Sequence, residues 1–276
     1  MANLIIMAAG ASSRMKKSLD DIKLSEKRKT IAANQHKTLI PLTEKGKNLL
    51  YFLCSNAKSA GYKSIYILTA PNNEAFKNWV QVNKNDSSIS GVKIHFPVQY
   101  VPKEREKPLG TADGIEQALY QFPQLLNQRF TVCNADNLYS TNVLKQLLEH
   151  KDSPHSIIAY NRDYLNFPEE RITKFALMHI DNEGYLKDIV EKPPIKTHNS
   201  FRNQKGELLV SMNIFSFTGT EIFPYLKNCP LNQERNEKEL PEAVRMLVKD
   251  QPKSTYTYIV KEHLQDLTSA KDINQF

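Results

Sequence analysis

A turn of small residues followed by cations stands close to the beginning of the sequence. An apolar stretch leads into Ala8, Ala9 and Gly10, and Arg14 and several lysines follow. Because nothing larger than a methyl group projects from this turn, its amides can donate hydrogen bonds to a phosphate or a base. The stretch lacks both the Gly-Lys-Ser/Thr ending of a Walker loop and the three spaced glycines of a dinucleotide fingerprint. Taken alone, it is equally consistent with an ordinary strand–helix turn.

The 276 residues carry a net charge of +7, and six Lys or Arg side chains lie between Lys16 and Lys29. No aromatic residue is interleaved with these cations, so the pattern favours a solvated loop or a phosphate-attracting rim over a nucleic-acid surface. No apolar run approaches the ~18 residues of a membrane span, and the beginning lacks the basic region of a secretory signal. Cys54, Cys133 and Cys229 are widely separated, which predicts reduced thiols in a cytoplasmic protein.

The elements that would position these residues alternate between strands and helices. Apolar runs at 3–8, 63–70, 92–99, 129–136 and 156–160 predict strands, with helical segments between most of them. This order predicts an α/β fold with a doubly wound, mostly parallel Rossmann-like sheet and a ligand crevice at the carboxyl ends of its strands. Shorter strands and turns after residue 160 predict a smaller antiparallel lobe. We expect a single domain over 1–276, with halves at 1–155 and 156–276.

The opening segment "LIIMAAGASSRM", followed by "HKTLIPL", resembles the N-terminal signature of the nucleotidyltransferases that make sugar nucleotides. Further segments are similar to that family in the expected order: "PLGTADGIEQAL", "VCNADNLYS", "VEKPP", "LVSMNIFSF" and "EKELPEAV". The resemblance implies the reaction of an NTP with a sugar 1-phosphate, giving an NDP-sugar and pyrophosphate. A sugar-phosphate oxygen would attack the α-phosphorus in line, which requires charge neutralisation and positioning but no protein nucleophile. It also implies that 1–155 binds the nucleotide and 156–276 the sugar.

The resemblance assigns nucleotide-binding roles to residues of the first half. Arg14 would contact the triphosphate and stabilise the leaving pyrophosphate, and Lys37 would also meet phosphate. The backbone of Ala8, Ala9 and Gly10 would line the nucleotide, and the turn at Gly110 and Thr111 would read the edge of the base. Gln99 would pair with a pyrimidine, which favours UTP or dTTP. The stretch of residues 16–36 is longer than is usual in the family, and it is either a flap over the triphosphate or an insertion.

Metal and sugar sites follow from the same resemblance. Asp136, directly after an apolar strand, offers a hard oxygen ligand for Mg²⁺, and Glu242 would supply a second carboxylate. Asp136 could instead cap the helix that follows it. In "VEKPP", Glu191 would accept hydrogen bonds from sugar hydroxyls and Lys192 would bind the sugar phosphate, while Asn213 would lie near the sugar.

Three other functions remain open from the sequence. A related transferase could act on a non-sugar phosphorylated alcohol such as phosphocholine, although the "EKP" and "SMNIF" segments favour a sugar. A glycosyltransferase would normally carry an Asp-x-Asp metal motif, whereas "NADN" has one aspartate. A nucleotide-sensing relative without turnover would not need Arg14, Lys37, Asp136 and Lys192 together. The sequence predicts neither nucleic acid nor membrane as a partner, and it is compatible with a homo-oligomer.

Overall fold

The structure, a computed structural model, describes residues 2–19, 26–149 and 153–276, with the backbone alone at 26–29. Its strands are β1 Asn3–Met7, β2 Ser64–Leu68, β3 Lys93–His95, β4 Arg129–Asn134, β5 Asn137–Leu138, β6 His155–Asn161, β7 Ala176–Ile180, β8 Leu186–Val190, β9 Leu209–Thr218, β10 Thr255–Val260 and β11 Gln265–Asp266. Its helices are α1 Ser13–Lys17, α2 Glu26–Asn34, α3 Leu49–Ala60, α4 Glu74–Asn83, α5 Thr111–Gln121, α6 Thr141–Gln146, α7 Glu169–Ile172, α8 Gly219–Lys227 and α9 Leu240–Asp250. Among the described residues, no helix combines the length and apolar character needed to cross a membrane.

Local sequence accounts for the ends of several helices. The Asn48 side chain accepts a hydrogen bond from the Tyr51 amide at the beginning of α3, and Gly61 ends that helix in the left-handed region at φ 109°. The Ser140 side chain caps α6 by accepting from the Val143 amide. The strand predicted over 92–99 is interrupted because Pro97 has no amide hydrogen to donate, yet its carbonyl still accepts from Thr69.

A nine-stranded mixed sheet forms the centre of the molecule, with β10, β6, β9, β4, β1, β2 and β3 as neighbours in that order. The β1–β2, β1–β4, β2–β3 and β6–β10 pairs are parallel, whereas β9 runs antiparallel between β4 and β6. The hairpin of β7 and β8 extends the same sheet from β9, which confirms the antiparallel second part. The predicted fold class is therefore confirmed, and one sheet contains strands from both halves.

Helices cover both faces of this sheet. Along β1, Leu4 and Ile6 pack into the core beneath α3 and α6, while Ile5 packs into the core beneath α5, α8 and α9. Continuous apolar strands are buried on both faces in this way because crossover helices cover each side. A third, smaller core joins α1 to residues 267–276, including Met15, Leu267 and Ala270. The three free cysteines are all buried within the described chain.

Candidate active site

The carboxyl ends of β1, β2 and β4 open into a cavity of about 230 Å³, here named the first cavity. Met7 pairs with Leu68 on one side and with Asn134 on the other, so the three strands end in one row. The chain leaves this row through small residues and reaches Asp136. The first cavity is lined by Met7, Ala9, Gly10, His36, Lys37, Leu68, Gln99, Pro108, Gly110, Thr111, Asn134, Ala135, Asp136 and Glu237.

A larger cavity of about 630 Å³, the second cavity, adjoins the first and shares Met7, Thr111, Asn134, Asp136 and Glu237 with it. Side chains of both charges line it. Its cations are Arg14, Arg171, Lys174, Lys192 and Arg235. Its carboxylates are Asp136, Glu191, Glu237, Glu239 and Asp266. Such a surface can bind an anionic ligand that also carries hydroxyl groups, since it offers both donors and acceptors.

Lys37 and Asp136, which are 99 residues apart in the sequence, form an ion pair where the two cavities meet. The Lys37 ammonium donates to Asp136 Oδ2 at 2.6 Å. The Lys37 amide donates to the Ser12 hydroxyl at 3.1 Å, which ties the lysine to the opening turn. Burial and, to a smaller extent, the charge of Lys37 lower the pKa of the neighbouring His36 to about 4. His36 is therefore neutral at pH 7, and Lys37 supplies the positive charge at this point.

The turn that opens α5 is shaped by a close approach of two backbones. Gly110 has φ 122°, and a Cβ there would lie 2.3 Å from the Lys238 carbonyl oxygen, so only glycine fits. The Lys238 amide donates to the Leu109 carbonyl, and the Lys238 carbonyl accepts from the Ala112 amide. The amides of Gly110 and Thr111 donate to no acceptor among the described residues. They are free to bind a ligand, and the reading of a base by this turn stays a prediction.

Gln99 lies in the wall of the first cavity with its side chain buried. Its amide nitrogen donates to the Gly110 carbonyl at 2.8 Å and to Asp113 Oδ2 at 2.9 Å. Both groups can only accept from an N–H, so this side of the amide has to be the NH₂ group. The amide oxygen accepts from no described residue and is the atom left for a ligand.

The second cavity contains the other predicted residues. Glu191 and Lys192 follow β8, and Lys192 takes a left-handed conformation with φ 45°. Burial raises the pKa of Glu191, and the nearby charge of Glu239 raises it further. Asn213, with φ 55°, lines the same cavity from β9. Arg14 reaches it from α1. The structure thus brings Arg14, Glu191, Lys192 and Asn213 to one cavity that also contains Asp136.

Asp266 is a carboxylate at this site that sequence reasoning missed. It lies on β11, whose pairing with β5 places Asp266 opposite Asn137, next to Asp136. Burial raises the pKa of Asp266, and the charge of Asp136 raises it further, while Arg171 opposes both effects from 2.8 Å. Asp136 and Asp266 line the same cavity, and their carboxylates are ligands of the kind that Mg²⁺ takes, one or two at a time, together with phosphate oxygens. Among the described residues there is no larger cluster of metal-ligating side chains.

Two predicted residues lie outside the cavities. Glu242 is on α9, whose buried stripe includes Leu240, Ala243 and Val244. Because Glu242 is off that stripe, its carboxylate is exposed and faces Arg245 at 3.8 Å. Its role as a metal ligand stays a prediction, and the structure does not place it near Asp136 in either cavity. Ala8 is buried in the core, and its amide donates to the Leu68 carbonyl, so Ala9 and Gly10 alone line the first cavity from this turn.

The long stretch between Arg14 and Lys37 is partly helical. α1 begins directly after the opening turn, and the backbone of residues 26–34 forms α2, where a loop was expected. Ala32 packs in the third core. Lys23 and the side chains of Lys27, Arg28 and Lys29, which we expect only to raise the local concentration of anionic substrate, lie outside the described part of the chain.

Known proteins with similar sequences show which family the chain belongs to. A sequence model of the nucleotidyl transferase family matches residues 26–273, so the chain belongs to that family. It is 23% identical over 248 residues to the bifunctional protein GlmU of Staphylococcus haemolyticus, covering 89% of this chain and 45% of GlmU. It is 28% identical over 191 residues to the small subunit of a Triticum aestivum glucose-1-phosphate adenylyltransferase, covering 64% of this chain and 37% of that subunit. The chain spans less than half the length of either relative.

The fold also matches a solved structure of the same class. A crystal structure of UDP-glucose pyrophosphorylase complexed with UDP-glucose superposes with a TM-score of 0.72 at 20% sequence identity, covering 100% of this chain and 96% of that one. This similarity shows a common fold. Together with the family match, it confirms the resemblance read from the sequence motifs.

Proposed function

We propose that this protein transfers a nucleotidyl group from UTP or dTTP to a sugar 1-phosphate, giving an NDP-sugar and pyrophosphate. The observation that carries the proposal is the pair of adjoining cavities that share Asp136. The first has the free turn amides and the Gln99 oxygen suited to a base, and the second has cations and carboxylates suited to a phosphorylated sugar. Lys37 and Arg14 are available to neutralise phosphates.

The choice of base rests on Gln99. The relatives named above include an adenylyltransferase and a structure bound to UDP-glucose, so membership of the family does not fix the base. With its NH₂ group engaged by Gly110 and Asp113, Gln99 offers only an acceptor to the cavity. Uracil and thymine have an N3–H that can donate to this acceptor, whereas cytosine has an unprotonated N3. UTP or dTTP is therefore favoured over CTP.

We further propose that Mg²⁺ is held between Asp136 and Asp266 together with substrate phosphate oxygens. When bound, it would neutralise charge that develops on the phosphates during transfer. Lys37, which pairs with Asp136 at the edge of the first cavity, would contact phosphate. Arg14 would stabilise the leaving pyrophosphate, while Lys192 would orient the acceptor phosphate.

The proposed reaction can be tested by pyrophosphate release. The purified protein would be incubated with Mg²⁺ and each of UTP, dTTP, CTP, ATP and GTP, in combination with a panel of sugar 1-phosphates and with phosphocholine. We expect pyrophosphate only when UTP or dTTP and a sugar 1-phosphate are both present. Release with phosphocholine alone would support the non-sugar acceptor instead. Binding of UTP without release for any acceptor would point to a nucleotide-sensing protein.

The variant Lys192→Ala should raise the KM for the sugar 1-phosphate much more than the KM for the NTP. Lys192 lines the second cavity only and, unlike Arg14, is not next to the turn that lines the first cavity, so removing its charge should act mainly on the sugar 1-phosphate. Initial rates with each substrate varied in turn would measure both constants. Lys187→Ala is the matched control, because Lys187 is an exposed lysine on the preceding strand. An equal loss of NTP affinity would show that Lys192 touches the triphosphate.

A further inference from the structure

Helix α5 and the extended segment at Val98 and Tyr100 are joined by a ladder of side-chain amides. Gln121 accepts from the Val98 amide at 2.9 Å and donates to the Val98 carbonyl at 2.7 Å. Gln117 does the same with Tyr100, at 2.8 and 3.1 Å. Asp113 occupies the next position on this face, because residues four apart lie above one another on a helix. The ladder therefore holds the backbone on both sides of Gln99.

Asp113 acts on the Gln99 side chain rather than on its backbone. Its Oδ2 accepts from Gln99 Nε2 and also from Gln117 Nε2, both at 2.9 Å. The carboxyl group is buried, so water does not readily replace it as an acceptor. Gly114 leaves the space in which the Gln99 amide lies, since a Cβ at that position would be 3.0 Å from Gln99 Oε1.

The Gln99 amide can take two orientations, which differ in whether its nitrogen or its oxygen lies next to Asp113 and the Gly110 carbonyl. In the observed orientation, the NH₂ group donates to both acceptors. In the reversed orientation, the amide oxygen would face a carboxylate and a carbonyl oxygen, and two hydrogen bonds would be replaced by two repulsive contacts. A carboxylate contributes the larger part of this preference because hydrogen bonds to charged acceptors are about twice as strong as neutral ones.

We propose that Asp113 is a positioning residue that determines base specificity by holding Gln99 in the orientation that presents only an acceptor. This inference rests on the proposed nucleotidyl transfer from UTP or dTTP and adds the residue that enforces the choice. Asp113 itself does not line either cavity. Its effect on the base is therefore transmitted through Gln99.

The test compares Asp113→Ala and Asp113→Asn with the unaltered protein. Alanine removes the acceptor, and asparagine can either accept from the Gln99 nitrogen or donate to its oxygen, so in both variants only the Gly110 carbonyl still distinguishes the two orientations. We expect the unaltered protein to prefer UTP over CTP about a hundredfold in kcat/KM. Each variant should lower this ratio about tenfold, through a gain for CTP relative to UTP.

Gln117→Ala is the matched control. It removes a hydrogen bond to the same Asp113 oxygen and one step of the ladder, but it leaves the contact between Asp113 and Gln99 in place. A purely structural role for the ladder would affect all three variants alike, lowering kcat/KM for UTP and CTP by the same factor. An unchanged UTP to CTP ratio in both Asp113 variants, or an equal change in Gln117→Ala, would overturn the proposal.

A second measurement separates this proposal from the proposed function. The side-chain NH₂ signal of Gln99, assigned by its loss in Gln99→Met, can be followed by NMR in the protein without substrate. We expect its exchange with solvent to be slow in the unaltered protein and at least about tenfold faster in both Asp113 variants. Slow exchange in all of them would show that Asp113 does not hold the amide. Faster exchange in the variants, with no base preference in the unaltered protein, would retain the positioning role and refute the choice of UTP or dTTP.

Discussion

Replacing Asp136 by asparagine should lower kcat by about two orders of magnitude or more while the fold stays intact. The carboxylate lies where both cavities meet, lines the second cavity together with Asp266 and pairs with Lys37, and we propose that it holds a metal ion against the phosphates. Asparagine preserves the backbone carbonyl that accepts from the Leu267 amide, and it adds no volume. Steady-state kinetics with Mg²⁺ would measure the loss, and thermal unfolding would show that the protein remains folded.

The control for this variant is Asp188→Asn. Asp188 also pairs with a cation, Arg245 at 2.8 Å, but it lines neither cavity. If the loss of an ion pair alone were responsible, the two variants would behave alike. Binding of Mn²⁺, followed by electron paramagnetic resonance, should weaken for Asp136→Asn only. Full turnover of Asp136→Asn in Mg²⁺ would remove Asp136 from the mechanism.

The variant Arg14→Ala should lose about two orders of magnitude in kcat at every ionic strength. Arg14 reaches the second cavity from α1, directly after the turn that lines the first cavity. Arg14 is exposed without substrate, and we expect a bound phosphate to bury their contact. A direct contact of this kind is worth a few kcal/mol in the transition state, and salt hardly screens it. Kinetics between about 0.05 and 0.3 M salt would measure the effect, since the Debye length falls to several ångströms over that range.

Lys17→Ala provides the comparison on the same helix. Lys17 is exposed in the last turn of α1 and lines neither cavity, so its charge acts only through the field in solution. We expect this variant to lose kcat/KM at low salt and to regain it at about 0.3 M. If Arg14→Ala also recovered at high salt, Arg14 would be part of a charged rim and would not contact the leaving group.

Much of the fold could be predicted from the sequence because local periodicity and caps determine it. The runs at β1, β2, β4 and β6 are apolar on both faces, as strands beneath helices must be. The position of β9 between β4 and β6 could not be predicted, since register in the sheet depends on contacts over long sequence separations. The helix α2 was missed because its sequence, "EKRKTIAAN", has almost no apolar stripe.

The residues of the candidate site also fall into those that the sequence could predict and those that it could not. The positions of Gln99, Gly110 and Lys192 at the cavities could be predicted because each lies in a short motif that is recognisable from adjacent residues in the sequence. Asp266 could not, because it reaches Asp136 through a two-residue strand pairing in a polar segment. Glu242 lines neither cavity because it lies off the buried stripe of α9, and the motif alone does not show this direction of the side chain. The acidic residue just before that helix, Glu239, lines the second cavity instead.

The third core bears on how the protein is made. It packs Met15 and Leu49 against Leu267, Ala270 and Ile273. The Ala270 amide donates to the Ser18 hydroxyl across 252 residues of sequence. During synthesis, β1, β2 and β3 can pair early, but the core that holds the helix carrying Arg14 is completed only when the segment around residue 270 has left the ribosome. Helix α1 is therefore among the last elements to reach its final packing. Chains truncated before residue 267 would have an incomplete phosphate site.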